Sequence, residues 1–410
     1  MKLRLLTLII ALAATAASGQ SRVMTLRECV EEGIANSPAM RASRLGVEKA
    51  RLMQGTAFDP APTEVEFAQE TTSGSSPDNG FTITQEFDFP TLYVARHKAL
   101  RAATAVEQAA LDAEMSRYVG EIEQTYYTML YARHLVGRRE SLDSVYRDFS
   151  RIAEARFRQG ESSRLEQINA RRLCESNALM LDRARADYRN ACAAMRSLIG
   201  ADSDVEPAVE PFGVIRHEMP AGEVEYDATP AARLAASRLD LGRRNLSVAR
   251  QGYIPSLSLG VTTQCVIKSF NPYDVDREPF RPGNFMGFSV GVKVPLFFGA
   301  TRARVRTARN EVATLQEDSR RQRAELESAY SAALEDYRTA RRAVDYYESE
   351  GLAGAREIAR LSKVSYDLSE ITYTEHIQNL EAAATVELEY ADAVDTLNRS
   401  IIKLKTLQGK

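Results

Sequence analysis

Tryptophan is absent from the 410 residues, and cysteine and histidine number only four each. Cys29, Cys174, Cys192 and Cys265 have no C-x-x-C spacing and no histidine nearby, which argues against a zinc site. Cys174 and Cys192, if both lie on one helix, are about 27 Å apart along its axis, beyond disulfide reach. The histidines, His97, His134, His217 and His376, are scattered, so no metal ligand is assigned to them. No Ser-His-Asp context and no phosphate loop is present, so neither catalysis nor a cofactor is expected. His376, beside Glu375, reads as helix surface. A formal charge of −3 leaves no basic footprint for nucleic acid. Long apolar runs are missing too, apart from Leu5 to Ala17. That run follows Lys2 and Arg4 and ends in Ala17-Ser18-Gly19, the pattern of a signal peptide over 1–19, and it is short for a spanning helix. Cys29 lacks the apolar and small residues that precede a lipidated cysteine, so no acyl anchor is expected.

Helix breakers are scarce over long stretches. From Thr91 to Gln159 there is no proline, and the only glycines are Gly120 and Gly137. A helix over that span is roughly 100 Å long, too long for an ordinary globule. Leu326, Tyr330, Ala333, Tyr337, Ala340, Val344 and Tyr347 are spaced alternately by four and three, which is a coiled-coil seam. Leu142, Val145, Phe149 and Ile152 keep the same rhythm.

Other segments have period two. Phe81, Ile83, Phe87 and Phe89 alternate with Thr82, Thr84, Glu86 and Asp88. Leu257, Leu259 and Val261 alternate with Ser256, Ser258 and Gly260, and Met286, Phe288, Val290, Val292 and Val294 with Gly287, Ser289, Gly291 and Lys293. Val65 and Phe67 against Glu64 and Glu66 make a weaker case. One apolar and one polar face suit a barrel strand in lipid. A soluble sheet packed on helices has the same alternation, but the signal peptide and the polar loops Thr71 to Gly80 and Ser269 to Asn284 favour lipid. Alternation puts Glu64, Glu66, Glu86 and Asp88 on the polar face, as a candidate barrel lumen.

The plan occurs twice. Phe58-Asp59-Pro60 recurs as Tyr253-Ile254-Pro255, Phe89-Pro90 as Val294-Pro295, and Phe157 to Glu161 as Tyr366 to Glu370. The first repeat, 20–200, holds a helical stretch from Thr25 to Thr56, a β-hairpin over 63–89 and long helices over 91–160 and 162–199. A proline-rich linker, 201–226, follows. The second repeat, 227–410, holds a helical stretch from Thr229 to Gln251, a hairpin over 255–296 and long helices over 299–368 and 371–407. Thr25 and Glu28 have the spacing of a capping box. Four strands cannot close a barrel with a lumen, and open edges in hydrocarbon leave backbone groups unsatisfied. The strands must then be pooled between copies, and three copies supply twelve. The competing arrangement is a periplasmic coiled-coil scaffold or adaptor with a small soluble sheet.

The order of these motifs resembles the TolC-like outer-membrane efflux family over nearly all of the mature chain. The resemblance rests on Thr25-Leu26-x-Glu28-Cys29-Val30 with Asn36-Ser37-Pro38, on Gly252 to Leu259, on Val292-Lys293-Val294-Pro295-Leu296-Phe297 and on Ala155 to Ser163. It implies an α+β membrane protein: a homotrimer with a twelve-stranded barrel in outer-membrane lipid, a helical barrel in the periplasm and an equatorial region at the linker. It further implies a passive exit duct whose partners are a periplasmic adaptor and an inner-membrane pump. Gln85 to Thr91 is similar to members that accompany heavy-metal pumps. Gly160, Glu161, Ser162 and Ser163, with Ser369, Glu370, Ile371 and Thr372, would form the periplasmic tips that meet the adaptor. Glu161, Asp367 and Glu370 would repeat around the axis as acidic rings, a candidate gate. Ser369 departs from the pattern, which has glycine there.

Overall fold

A computed structural model describes residues 21–71, 77–216, 225–264 and 286–409. The segment read as a signal peptide, His217, Pro220, Cys265 and the loop Ser269 to Asn284 lie outside the described residues, as does part of the loop Thr71 to Gly80.

The chain begins with β1 (Arg22–Met24), α1 (Leu26–Asn36) and α2 (Pro38–Met53). Thr25 caps α1, accepting from the Glu28 amide, while the Glu28 carboxylate accepts from the Thr25 amide at 2.8 Å. Those bonds hold the Glu28 carboxyl below its ordinary range. The single helical stretch expected from Thr25 to Thr56 is broken in two at Ser37. Proline at 38 keeps the preceding residue out of helical space, and Ser37 adopts φ −59°, ψ 127°.

Next come β2 (Glu64–Thr71), β3 (Pro77–Phe87), the 69-residue α3 (Pro90–Arg158) and α4 (Arg164–Ile199). After β4 (Val205–Pro207) the order recurs: α5 (Pro230–Gln251), β5 (Ser256–Gln264), β6 (Met286–Lys293), α6 (Gly299–Tyr346), α7 (Leu352–Asp367) and α8 (Tyr373–Gln408). A π turn at Tyr347–Gly351 separates α6 from α7, where one continuous helix over 299–368 is expected. There Tyr347 donates to Glu389 of α8 at 3.2 Å and Tyr390 of α8 donates to Glu348 at 3.0 Å. Gly351 makes room, since a Cβ at that position would lie 2.9 Å from the Tyr347 ring.

Two compact units result, and they cut across the repeats. One comprises 44–110 and 231–322, and the other comprises the rest. In the larger unit Tyr126, Ile122 and Met129 of α3 are buried with Cys29, Met40, Cys192, Met195 and Ile199. Burial pushes the Cys29 thiol up to about 11, and Cys174 and Cys192, on one helix, are free thiols. The expected seam is buried at Tyr330, Ala333, Ala340 and Val344, against Val394, Leu397, Ile401 and Leu404 of α8.

Residues 205–215 of the linker following α4 are held by bonds that their composition does not announce. β4 pairs in parallel with β1. Arg133 donates to the carbonyls of Pro207 and Ala208, each at 2.8 Å, and Phe212 stacks on His134. Asn398, fully buried on α8, accepts from the Ile215 amide and donates to the Gly213 carbonyl. The segment thus ties α3 of the first repeat to α8 of the second, as buried backbone groups require partners.

Candidate functional site

The smaller unit holds an antiparallel sheet in the order β2-β3-β5-β6. Residues opposite one another across an antiparallel ladder point to the same side. Its register aligns rows that cross all four strands, such as Val65, Ile83, Val261 and Phe288, and Phe67, Phe81, Thr263 and Met286. Phe87, Leu257 and Val292 continue the same face, with Leu259 and Val290 beside them. This apolar face is open in the single chain, with Phe288 87% exposed and Val290 68%. Below the strands, Phe58 contacts Tyr93 and Tyr253 contacts Phe298, an aromatic pair from each repeat.

The opposite face is polar. One row reads Glu66, Thr82, Thr262 and Gly287, and the next Glu64, Thr84, Gly260 and Ser289. Gly260 and Gly291 lie under the hydroxyls of Ser289 and Ser258, which occupy the space of the missing Cβ atoms. Of the four acidic residues assigned to this face, Glu64 and Glu66 are exposed on edge strand β2. Glu86 pairs with Lys293 of β6. Asp88 lies beyond the end of β3, where its carboxylate pairs with Arg96 of α3 at 3.1 Å. The sheet therefore gathers three of the four, one of them neutralised by a lysine that simple alternation along one strand does not reveal.

The turns that join α3 to α4 and α7 to α8, each pair a helical hairpin, lie in the larger unit. In the first repeat Gly160 takes φ 79°, its amide bonds the Phe157 carbonyl, and the Glu161 amide bonds the Arg156 carbonyl. In the second, Ser369 takes φ 62°, its amide bonds the Tyr366 carbonyl, and the Glu370 amide bonds the Ser365 carbonyl. Both are Schellman turns, in which a left-handed residue closes the helix. Ser369 is the one non-glycine at positive φ among the described residues, so the departure at 369 leaves the turn unchanged. Ser163 and Thr372 then cap α4 and α8, accepting from the amides of Glu166 and Glu375. Ile371 is half-buried and the Ser162 hydroxyl is buried without a hydrogen-bond partner. Glu161, Asp367 and Glu370 are exposed, and the Glu370 carboxylate accepts from the Ser365 hydroxyl at 3.0 Å.

His376 is more than helix surface. Its Nδ1 lies 2.8 Å from the Ser362 hydroxyl, and its ring stacks on Tyr366 with an interplanar angle of 9°. Sequence reading misses this knot, because Ser362 and His376 are on different helices of the hairpin. Among the described residues no group of three or more His, Cys, Asp or Glu is placed to hold a metal ion, and no helix is long and apolar enough to cross a membrane.

Solved structures share this arrangement of two hairpins and paired long helices. A structure of CusC, described for its folding and transmembrane channel formation, matches with a TM-score of 0.77 at 17% identity, over 95% of this chain and 93% of that one. The CmeC outer membrane channel of Campylobacter jejuni matches with a TM-score of 0.76 at 16% identity, over 94% and 85%. The open MtrE outer membrane channel of Neisseria gonorrhoeae also gives 0.76 at 16%, over 94% and 88%. The chain has the fold of outer-membrane channels. That is the fold implied by the TolC-like resemblance, and at these identities it is the fold that is shared. No protein-family model and no curated protein matches the chain.

Proposed function

We propose that the chain is the outer-membrane duct of an efflux or secretion system, acting as a homotrimer. It conducts passively what an inner-membrane pump delivers through a periplasmic adaptor. The observation that carries this reading is the exposed apolar face, continuous across four strands whose two edge strands have no further strand partner among the described residues. Lipid would solvate the face, and pooling strands between copies would satisfy the edges, as a closed barrel requires. The aromatic pairs below the strands suit the boundary between lipid and water. The polar face, with Glu64 and Glu66, would line the lumen, and the hairpin ends would meet the adaptor.

Conductance of the detergent-extracted oligomer in a planar lipid bilayer tests this. Discrete steps that Glu370→Gln alters in size or cation preference support a duct gated at the tips. A protein that is soluble and monomeric without detergent would sink it. Phe288→Arg sharpens the test, because a cation at mid-bilayer costs about 2–4 kcal/mol per copy. The expected outcome is loss of insertion, and normal insertion would argue that the face is not in lipid.

A further inference from the structure

The turns and caps of the two hairpins coincide at a shift of 209 residues, and at that register their interiors differ. In the first repeat Ala153 and Ala170, both fully buried, bring α3 and α4 together, with Gln167 nearby in sequence. The corresponding residues of the second repeat are Ser362, Asn379 and His376. Asn379 donates to the Ser362 hydroxyl at 3.3 Å, and that hydroxyl lies 2.8 Å from His376 Nδ1. At this register the pairing of α7 with α8 holds an imidazole, while that of α3 with α4 holds two alanines there, its ion pairs being carboxylate–guanidinium contacts elsewhere, Arg185 with Glu140 and Arg156 with Glu166.

We propose that the second hairpin is an acid-responsive element: uptake of a proton by His376 loosens α7 from α8, while the first hairpin is indifferent to the same change. In the tautomer we assign, the Ser362 oxygen accepts from Asn379 while its proton points to Nδ1, which is then the unprotonated ring nitrogen. A proton arriving from solution at Nδ1 reverses that bond. The Ser362 hydroxyl must turn to its other acceptor, the His376 carbonyl at 3.4 Å. The new cation lies against the Tyr366 ring, in a half-buried position between the helices. Lys363 of α7 opposes the charge and Asp367 favours it. Tyr373 of α8 faces the same cluster, with Asp148 and Arg151 of α3 reaching that tyrosine.

Burial is the largest influence on the imidazole and holds it below its ordinary value. The unfolded or opened segment therefore binds the proton more readily than the closed one. The stabilising contribution is full above the ordinary histidine range and is lost as pH falls through the lowered folded value. A periplasmic tip would meet such acid whenever the outside medium turns acidic.

Hydrogen exchange of the intact protein in detergent tests this without reference to conduction, so it stands apart from the duct reading. Protection of α7 amides, corrected for intrinsic rates, is expected to fall severalfold between pH 7.5 and 5.0, while the last turns of α3 hold theirs. His376→Gln, which installs the first repeat's residue, should remove the pH dependence. Parallel changes in α7 and α3 of the wild type would overturn the proposal without any variant. So would a fall in α7 protection between pH 7.5 and 5.0 that survives in His376→Gln.

Discussion

The two hairpin ends have the same backbone and different fillings. Each helix stops in a Schellman turn, and each return helix starts on a hydroxyl cap three residues before a glutamate. Yet one hairpin is closed by two alanines and runs through an unbroken α3. The other is closed by a serine, a histidine and an asparagine, and lies below a π turn held by two tyrosine–glutamate bonds. Hydrogen-bonded turn geometry tolerates many side chains, so it survives duplication. Side chains inside a helix pair set spacing and responsiveness, so they are where two copies of one plan can take different roles.

The contrast breaks most sharply at the alanine pair. Ala153→Leu adds three carbons to a site with no exposed surface and is expected to cost about 1–3 kcal/mol locally. Ser362→Ala, at the matching place, removes one hydroxyl and should cost about 0.5–1.5 kcal/mol. Hydrogen exchange of α4 and of α8, read near their first turns, measures the two separately. Equal losses would mean that the two interiors are packed alike.

Much of this architecture is legible in the residues. The seam from Tyr330 to Val344 is read from its spacing and is buried as read. The alternating strands are legible for the same reason, since period two fixes which side chains share a face. Three features are not legible, and each depends on partners remote in sequence. Lys293 reaches Glu86 across the β3–β5–β6 ladders. The π turn answers to Glu389 and Tyr390 some 40 residues away. The linker from Val205 to Ile215, proline-rich and open to reading as a loose connection, is held by Arg133 and Asn398, which lie on helices of different repeats.

The turns themselves sharpen the comparison by a smaller amount. Gly160→Ala places a Cβ on a residue at φ 79° and should cost about 1–2 kcal/mol. Ser369 already bears that strain at φ 62°. Ser369→Gly relieves it but adds the roughly 0.5–1 kcal/mol of entropy that glycine loses on ordering, leaving a net gain of about 0.5–1 kcal/mol. Exchange rates of the α7 and α3 terminal amides distinguish the signs. A loss at Ser369→Gly would show that the serine side chain does more than occupy the turn.

The caps carry the smallest contrast. Ser163→Ala and Thr372→Ala each remove the acceptor for a third-residue amide and should cost about 1 kcal/mol of helix-end stability. They are not equivalent, because Glu375 also accepts from the Thr372 amide and hydroxyl, at 2.7 and 2.9 Å, whereas Glu166 turns toward Arg156 at 3.8 Å. The reciprocal bond keeps the Glu375 carboxyl below its ordinary range, so the second cap draws on an ionised carboxylate. Lowering the pH through that depressed value protonates Glu375 and removes the bond's contribution, which is present at neutral pH and lost in acid. Fraying of α8 should therefore grow in acid in His376→Gln as well, while Glu375→Gln, whose amide oxygen can accept the same bonds without titrating, abolishes only this component. Measured on the first turn of α8, the two components separate a cap that the second repeat has strengthened from an interior that it has made responsive.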